Sequence, residues 1–353
     1  MYCFDAVAMT VLRLLLTISL SISLRALAAA AATVPTGLLT NVEFSDYSPL
    51  SRADELERRV LSPLQALRTN EAVAKSGIAI REQSIDLTRE RFAVYVPPTK
   101  PQNGYALLVF VPPWESATVP QRWIGELDKR GTIFVTAAKS GNDASILDRR
   151  EPLALLATHN IMQRYPVDPG RVYIGGFSGG SRVAMRLALA YPDLFRGALL
   201  NAGSDPIGNA QIRLPPAGLM RRFQETSRLV YLTGKEDAPR LEMDAHSRNS
   251  MQDWCVFDIK TVLVGWTGHD VVGPAAFRQG LEALETHENP LPDKLASCRR
   301  HYEQELEEQL RQAEQLRGNG KVDAAAKVLD AIDERFGGLA APRSVDLARP
   351  GNP

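Results

Sequence analysis

The sequence has little cysteine: three residues, at positions 3, 255 and 298, in a chain of 353. None forms a CxxC pair or stands at a Cys/His spacing that suits zinc, which argues against a structural metal. Neither charge is in excess. Lysine and arginine number 41, aspartate and glutamate 41, and no long single-sign block appears. A general nucleic-acid binder would carry a basic face or tail, so that class is set aside. A comfortable membrane span needs about 20 apolar residues, and no run here reaches that length. What remains is an ordinary globular composition, 44% hydrophobic, sufficient for a full core. The length admits two domains, or one large α/β domain with appendages.

The N-terminus stands apart. Arg13 precedes the apolar run Leu14–Leu24, and Arg25 precedes an alanine string, Ala28–Ala32. A basic start, a short apolar stretch and small residues that suit an A-x-A cleavage site describe a secretory signal over residues 1–32. Arg25 interrupts that pattern, and an uncleaved anchor is the alternative. Translation from Met9 would leave Cys3 outside the chain. No lipidation cysteine follows the run, and no stable span is expected after cleavage. The expected location is secreted or periplasmic. There Cys255 and Cys298 could pair, or stand as two separate buried thiols.

Beyond the signal, residues 33–77 read as a tether followed by a helical arm. Ser51–Arg68 has Ser51 as a capping residue and Leu56, Val60, Leu64 and Leu67 at helical spacing, weakened by Pro63. Ile80–Leu87 and Arg91–Val96 read as two strands joined by the turn Thr88–Glu90. From residue 105 short apolar runs alternate with helical segments. The runs are Ala106–Val111, Thr132–Ala137, Arg171–Ile174, Gly197–Leu200, Leu229–Leu232 and Lys260–Val264. Such unalternating runs suit strands covered on both faces, so the fold class is α/β, with a mostly parallel, doubly wound sheet over residues 78–286. Residues 290–340 carry two apolar stripes broken at Gly318-Asn319-Gly320, which predicts a helical hairpin. Residues 341–353 read as a flexible tail.

The chemistry centres on Gly176-Phe177-Ser178-Gly179-Gly180, a G-x-S-x-G sequence between the strand Arg171–Ile174 and a helix opening at Gly179. A serine at so sharp a turn stands above the sheet, and the helix N–H groups favour negative charge forming beside it. The competing reading is a phosphate-binding glycine loop or a plain tight turn. No P-loop lysine follows, and the sequence is not G-x-G-x-x-G. The hydroxyl needs a base. Of five histidines, His269 follows the last strand, whereas His159 and His246 lie in helices and His287 and His301 near the hairpin. The base needs a carboxylate. Asp237, after Thr233-Gly234, gives the order Ser, Asp, His; Asp205 and Glu236 compete. Gly179 offers one oxyanion donor. After Ala106–Val111 the prolines at 112 and 113 have no N–H, so Trp114 is the first possible second donor, or else a cleft aromatic.

Asp168-Pro169-Gly170-Arg171-Val172-Tyr173-Ile174-Gly175-Gly176-Phe177-Ser178-Gly179-Gly180 resembles the nucleophile region of the polyhydroxybutyrate depolymerase and feruloyl esterase-like branch of the α/β-hydrolase superfamily. Thr233-Gly234 with Asp237, and Gly268-His269, are similar to that branch's acid and base loops. The resemblance covers residues 78–286. Where many lipases and esterases carry His-Gly-Gly, this chain has Pro112-Pro113-Trp114. The resemblance implies an α/β-hydrolase fold and a serine hydrolase of small or polymeric carboxylic esters, with Ser178, His269 and Asp237 catalytic, Gly179 and Trp114 in the oxyanion hole, and no metal or organic cofactor. A peptidase of the same fold and a non-catalytic exported binding protein, with the hairpin as its partner surface, are the rival readings.

Two further stretches bear on the substrate. The twenty or so residues between Asp205 and Ser227 suffice for a small flap, not a lid domain. Ser140-Gly141-Asn142-Asp143, with Arg149 and Arg150, either contacts a polar or acidic substrate or caps the helix at Pro152.

Overall fold

Alternating apolar strands and amphipathic helices bury most surface when a twisted sheet is covered on both faces. The computed structural model has that arrangement. It describes residues 34–77 and 81–349, so the signal segment and Cys3 lie outside the described residues. One compact unit spans Thr36–Pro353.

Its sheet has eight strands: β1 (Gly37–Val42), β2 (Phe92–Val96), β3 (Tyr105–Val111), β4 (Thr132–Ala137), β5 (Val167–Phe177), β6 (Gly197–Asn201), β7 (Arg228–Gly234) and β8 (Ile259–Val264). Their order is β1-β2-β4-β3-β5-β6-β7-β8. β2 runs antiparallel to both β1 and β4, and every other pairing is parallel. β3 and β4 are buried along their whole length, as their unbroken apolar runs require.

The helices are α1 (Ala53–Val60), α2 (Pro63–Ser76), α3 (Ile124–Arg130), α4 (Glu151–Arg164), α5 (Gly179–Ala190), α6 (Ala217–Thr226), α7 (Ala238–Asp253), α8 (Pro274–Glu285), α9 (Pro292–Gly318), α10 (Val322–Phe336) and α11 (Arg343–Ala348). Among the described residues, no helix is long and apolar enough to cross a membrane.

Four segments differ from the sequence reading. The expected tether contains β1, an edge strand. Its register shifts between Leu39 and Val42, and Asn41 adopts φ 55°, a bulge that breaks the two-residue alternation. The single arm helix is two: Ser62 caps α2 by accepting from the Gln65 N–H, and Pro63 occupies its first turn, where a missing N–H costs nothing. Residues 81–86 form no strand, although Ile85 and Leu87 are buried. The expected tail forms α11, where Arg343 bonds Glu307 and Glu314 of α9. Residues 350–353 lie outside the described residues.

The expected hairpin is α9 and α10. Its inner face, including Tyr302 and Phe336, joins the main core around Trp254. A disulfide joins Cys298 of α9 to Cys255, with Cα atoms 5.9 Å apart. The hairpin also braces the segment after β6: Arg213 pairs with Asp333, and the Gly338 N–H donates to the Leu214 carbonyl.

Candidate active site

Parallel strands place their carboxyl ends along one edge, and the chain reverses its direction of travel across the sheet at β3, between β4 and β5. A crevice forms at such a point. Ser178 stands there, immediately after β5, with φ 53° and ψ −119°. A non-glycine residue held at positive φ is strained and persists only where its surroundings enforce it. The surroundings are specific. A Cβ on Gly176 would lie 2.3 Å from the Gly180 carbonyl carbon, so the turn closes only with glycine there. The Ser178 N–H is tied to the Asn201 carbonyl at the end of β6, 2.8 Å away.

The Ser178 Oγ lies 2.9 Å from His269 Nε2, and His269 Nδ1 lies 2.6 Å from an Asp237 carboxylate oxygen. Asp237 is buried, whereas the imidazole is partly exposed. Asp237 occupies the cap position of α7 but makes no capping bond, which leaves its carboxylate for the imidazole. The loops after β7 and β8 are laced together. Glu236 N–H donates to the Thr267 carbonyl and Lys235 N–H to the Val264 carbonyl. A Cβ on Gly234 would lie 2.0 Å from the Thr267 oxygen, so this glycine lets the two loops meet. Phe177 backs the imidazole, with ring centroids 4.9 Å apart.

The structure therefore brings Ser178, His269 and Asp237 into one hydrogen-bonded row. It sends the competing Asp205 elsewhere: both Asp205 oxygens accept from Arg182 Nε, at 2.8 and 2.7 Å. Of the other histidines, His287 pairs with Asp258, away from this edge. Gly179 opens α5, and the first N–H groups of a helix have no partner within it. The Trp114 indole, half-buried, rests on Phe177 at 6.2 Å. Its loop is held to the 139–142 loop, where Asn142 N–H donates to the Pro113 carbonyl and Lys139 N–H to the Glu115 carbonyl.

Sequence reasoning missed part of the site. Asn201 is buried, and its side chain donates to the Leu232 carbonyl and accepts from the Val272 N–H. Beside Ser178 lies a cleft of about 320 Å³ whose wall includes Asn142, Arg150, Arg182, Arg186 and Arg240. Asn142 and Arg150 come from the stretch read as a substrate loop. Arg149 does not join them: it pairs with Glu90.

The strand order, the antiparallel second strand and the glycine-framed turn after β5 are those of the α/β-hydrolase fold. No protein-family model matches the chain. A poly(3-hydroxybutyrate) depolymerase of Ralstonia pickettii is 41% identical over 56 residues, which is 16% of this chain and 12% of that protein. The match thus spans a small part of the relative's length. Among solved structures, a poly(3-hydroxybutyrate) depolymerase from Bordetella parapertussis is 16% identical with a TM-score of 0.43, over 59% of this chain and 88% of that one. A candidate dipeptidyl aminopeptidase IV from Bacteroides ovatus is 13% identical with a TM-score of 0.43, over 59% of this chain and 34% of that one.

Proposed function

We propose that the protein is a serine hydrolase of carboxylic esters. The observation that carries this reading is the row Asp237–His269–Ser178, set on a strained turn at the carboxyl edge of the sheet. With His269 Nδ1 protonated and donating to Asp237, Nε2 is free to accept the Ser178 proton as Oγ attacks the ester carbonyl. The developing oxyanion is met by the Gly179 N–H at the positive end of α5, and by the Trp114 N–H as second donor. His269 then gives its proton to the leaving alcohol, leaving an acyl-Ser178 ester. Water, deprotonated by His269, attacks that ester; Ser178 recovers its proton and the acid departs. None of these steps requires a metal or an organic cofactor.

An ester, rather than a peptide amide, is favoured by the segment that is 41% identical to a depolymerase of a polyester. Export is part of the proposal. The basic and apolar start of the sequence supports it, as does a disulfide between the two cysteines beyond that start, a bond that persists in oxidising compartments.

The test is covalent labelling with a fluorophosphonate probe, followed by a panel of esters and peptide amides. The chain from residue 33 onward is expected to label, and the Ser178→Ala variant is expected not to. Turnover in that variant should fall on the order of a millionfold, as when a serine nucleophile is removed elsewhere. Labelling retained in Ser178→Ala would reject the nucleophile. Cleavage of amides but not esters would select the peptidase, and an unlabelled, inactive parent the binding protein.

A further inference from the structure

Four guanidinium groups line the cleft beside Ser178: Arg150, Arg182, Arg186 and Arg240. Against them the wall presents one carboxylate, that of Asp205. A second, Glu151, is completely buried and lies 3.5 Å from Arg186. An excess of cations converging on a small cleft is costly unless an anion completes it.

The individual groups sharpen the point. Arg150 is buried, only 3% exposed, yet among the described residues no carboxylate lies within ion-pair distance of it. Its Nε donates to the Ser140 carbonyl and one terminal nitrogen to the Pro112 carbonyl, and among the described residues the other terminal nitrogen makes no hydrogen bond. Burial holds its pKa below the usual arginine value; the Glu115 and Glu151 carboxylates oppose that shift only in part, and the neighbouring Arg182 charge adds to it. Arg182 gives its Nε to Asp205 and is half-exposed, and among the described residues its two terminal nitrogens make no hydrogen bond. Arg240 bonds the Met243 sulfur and, among the described residues, has no carboxylate partner. Its stem lies against Gly203, in the loop after β6.

Arginine presents paired N–H groups in a planar fork that matches a carboxylate. Position fixes where that carboxylate would stand. Arg182 follows Ser178 by four residues along α5, about one helical turn or 6 Å from the nucleophile. The cleft is small, about 320 Å³, and its apolar wall is limited to Ile146, Ala202 and Met243. A long apolar acyl chain has little to pack against there, whereas a short chain ending in an anion fits.

We infer that this cleft selects esters bearing a free carboxylate a few bonds from the scissile carbonyl, with Arg150, Arg182 and Arg240 as its recognition groups. The inference rests on the proposed hydrolase reading for the position of the scissile bond; the anion site itself does not. Two matched pairs test it. Monoethyl glutarate against ethyl pentanoate places the charge on the acyl side. 4-Acetoxybutanoate against butyl acetate places it on the alcohol side. In at least one pair the anionic member should have a kcat/KM about tenfold higher, the scale of one charge-assisted contact. Arg240→Gln should lower the anionic-to-neutral ratio about tenfold, and Arg240→Lys should restore part of it.

A binding arm separates the two ideas. Glutarate titrated into the Ser178→Ala protein should release heat, with Kd about tenfold weaker when Arg240→Gln is added. Glutarate binding by a protein that hydrolyses no ester would end the hydrolase reading and leave the anion site standing. Equal or better turnover of the neutral member in both pairs would overturn the inference. So would a ratio untouched by Arg240→Gln, or an absence of glutarate binding.

Discussion

The Asn201 carbonyl accepts the N–H of Ser178 at 2.8 Å, and so fixes the start of the turn on which the serine stands. The same residue's side chain accepts from Val272, three residues beyond His269, and donates to the Leu232 carbonyl on β7. One buried asparagine thus links the serine turn, the strand that leads to the acid loop, and the histidine loop. Asn201→Ala leaves the backbone bond and leaves the Leu232 carbonyl its bond from the Ala202 N–H, but strands the Val272 N–H. Such a loss costs about 1–3 kcal/mol. The variant is expected to lose about 1–3 kcal/mol in urea unfolding and to lower kcat more than it raises KM. Full stability with full turnover would show that the asparagine positions nothing.

Asp237→Asn should collapse ester turnover by about ten-thousandfold, because an amide at that position favours the wrong imidazole tautomer without moving the ring. Asp205→Asn should behave differently. Its carboxylate meets Arg182, not His269, so the expected effect is confined to anionic esters. Steady-state kinetics on a neutral ester separates the two variants, and equal losses in both would misplace the acid.

Those two aspartates mark the boundary of what could be read in advance. Both follow parallel strands, and the local signal in favour of Asp237 was Gly234, which lets the loop turn straight out of β7. The fate of Asp205 is set by Arg182, twenty-three residues earlier in the chain and on another element. The six runs from Ala106 onward could be read as strands because a sheet covered on both faces demands continuous apolar residues. β1 could not, since its bulge at Asn41 removes the alternation that marks an edge strand. Ile85 and Leu87 imitated a strand because a loop pressed into the core also buries apolar side chains. The arginine cleft left no motif: Arg150, Arg182 and Arg240 belong to three segments that only the fold brings together.

The disulfide closes a loop of 43 residues between Cys255 and Cys298 and ties α9 to the segment leading into β8. Restricting a loop of that size in the unfolded chain contributes about 3–4 kcal/mol. Replacing both cysteines by alanine should lower unfolding free energy by about that amount and loosen the hairpin that braces Leu214 and Arg213. Thiol titration of the denatured, unreduced protein should find neither residue free. Two free thiols there would refute the bond.

Glu151 gives a pH prediction with a definite sign. Its carboxyl is completely buried at the start of α4, beneath the arginine cleft, and makes no hydrogen bond among the described residues. Burial pushes its pKa up from 4.5 to about 7, and Arg186 and Arg150 oppose that rise only in part. The buried Tyr191 hydroxyl is also within its electrostatic reach. The folded state therefore holds a proton that the unfolded chain releases at lower pH. The stability this contributes is fully present below pH 4.5 and is lost as pH rises through about 7. Glu151→Gln is neutral at every pH and has no such loss. The stability of the variant relative to the parent should accordingly rise between pH 4.5 and 8, by on the order of 2–3 kcal/mol. A constant offset from lost contacts with Arg186 would shift the whole difference curve without changing its slope. Urea unfolding of both proteins across that range reads the slope directly, and parallel curves would mean that Glu151 stays ionised in the fold.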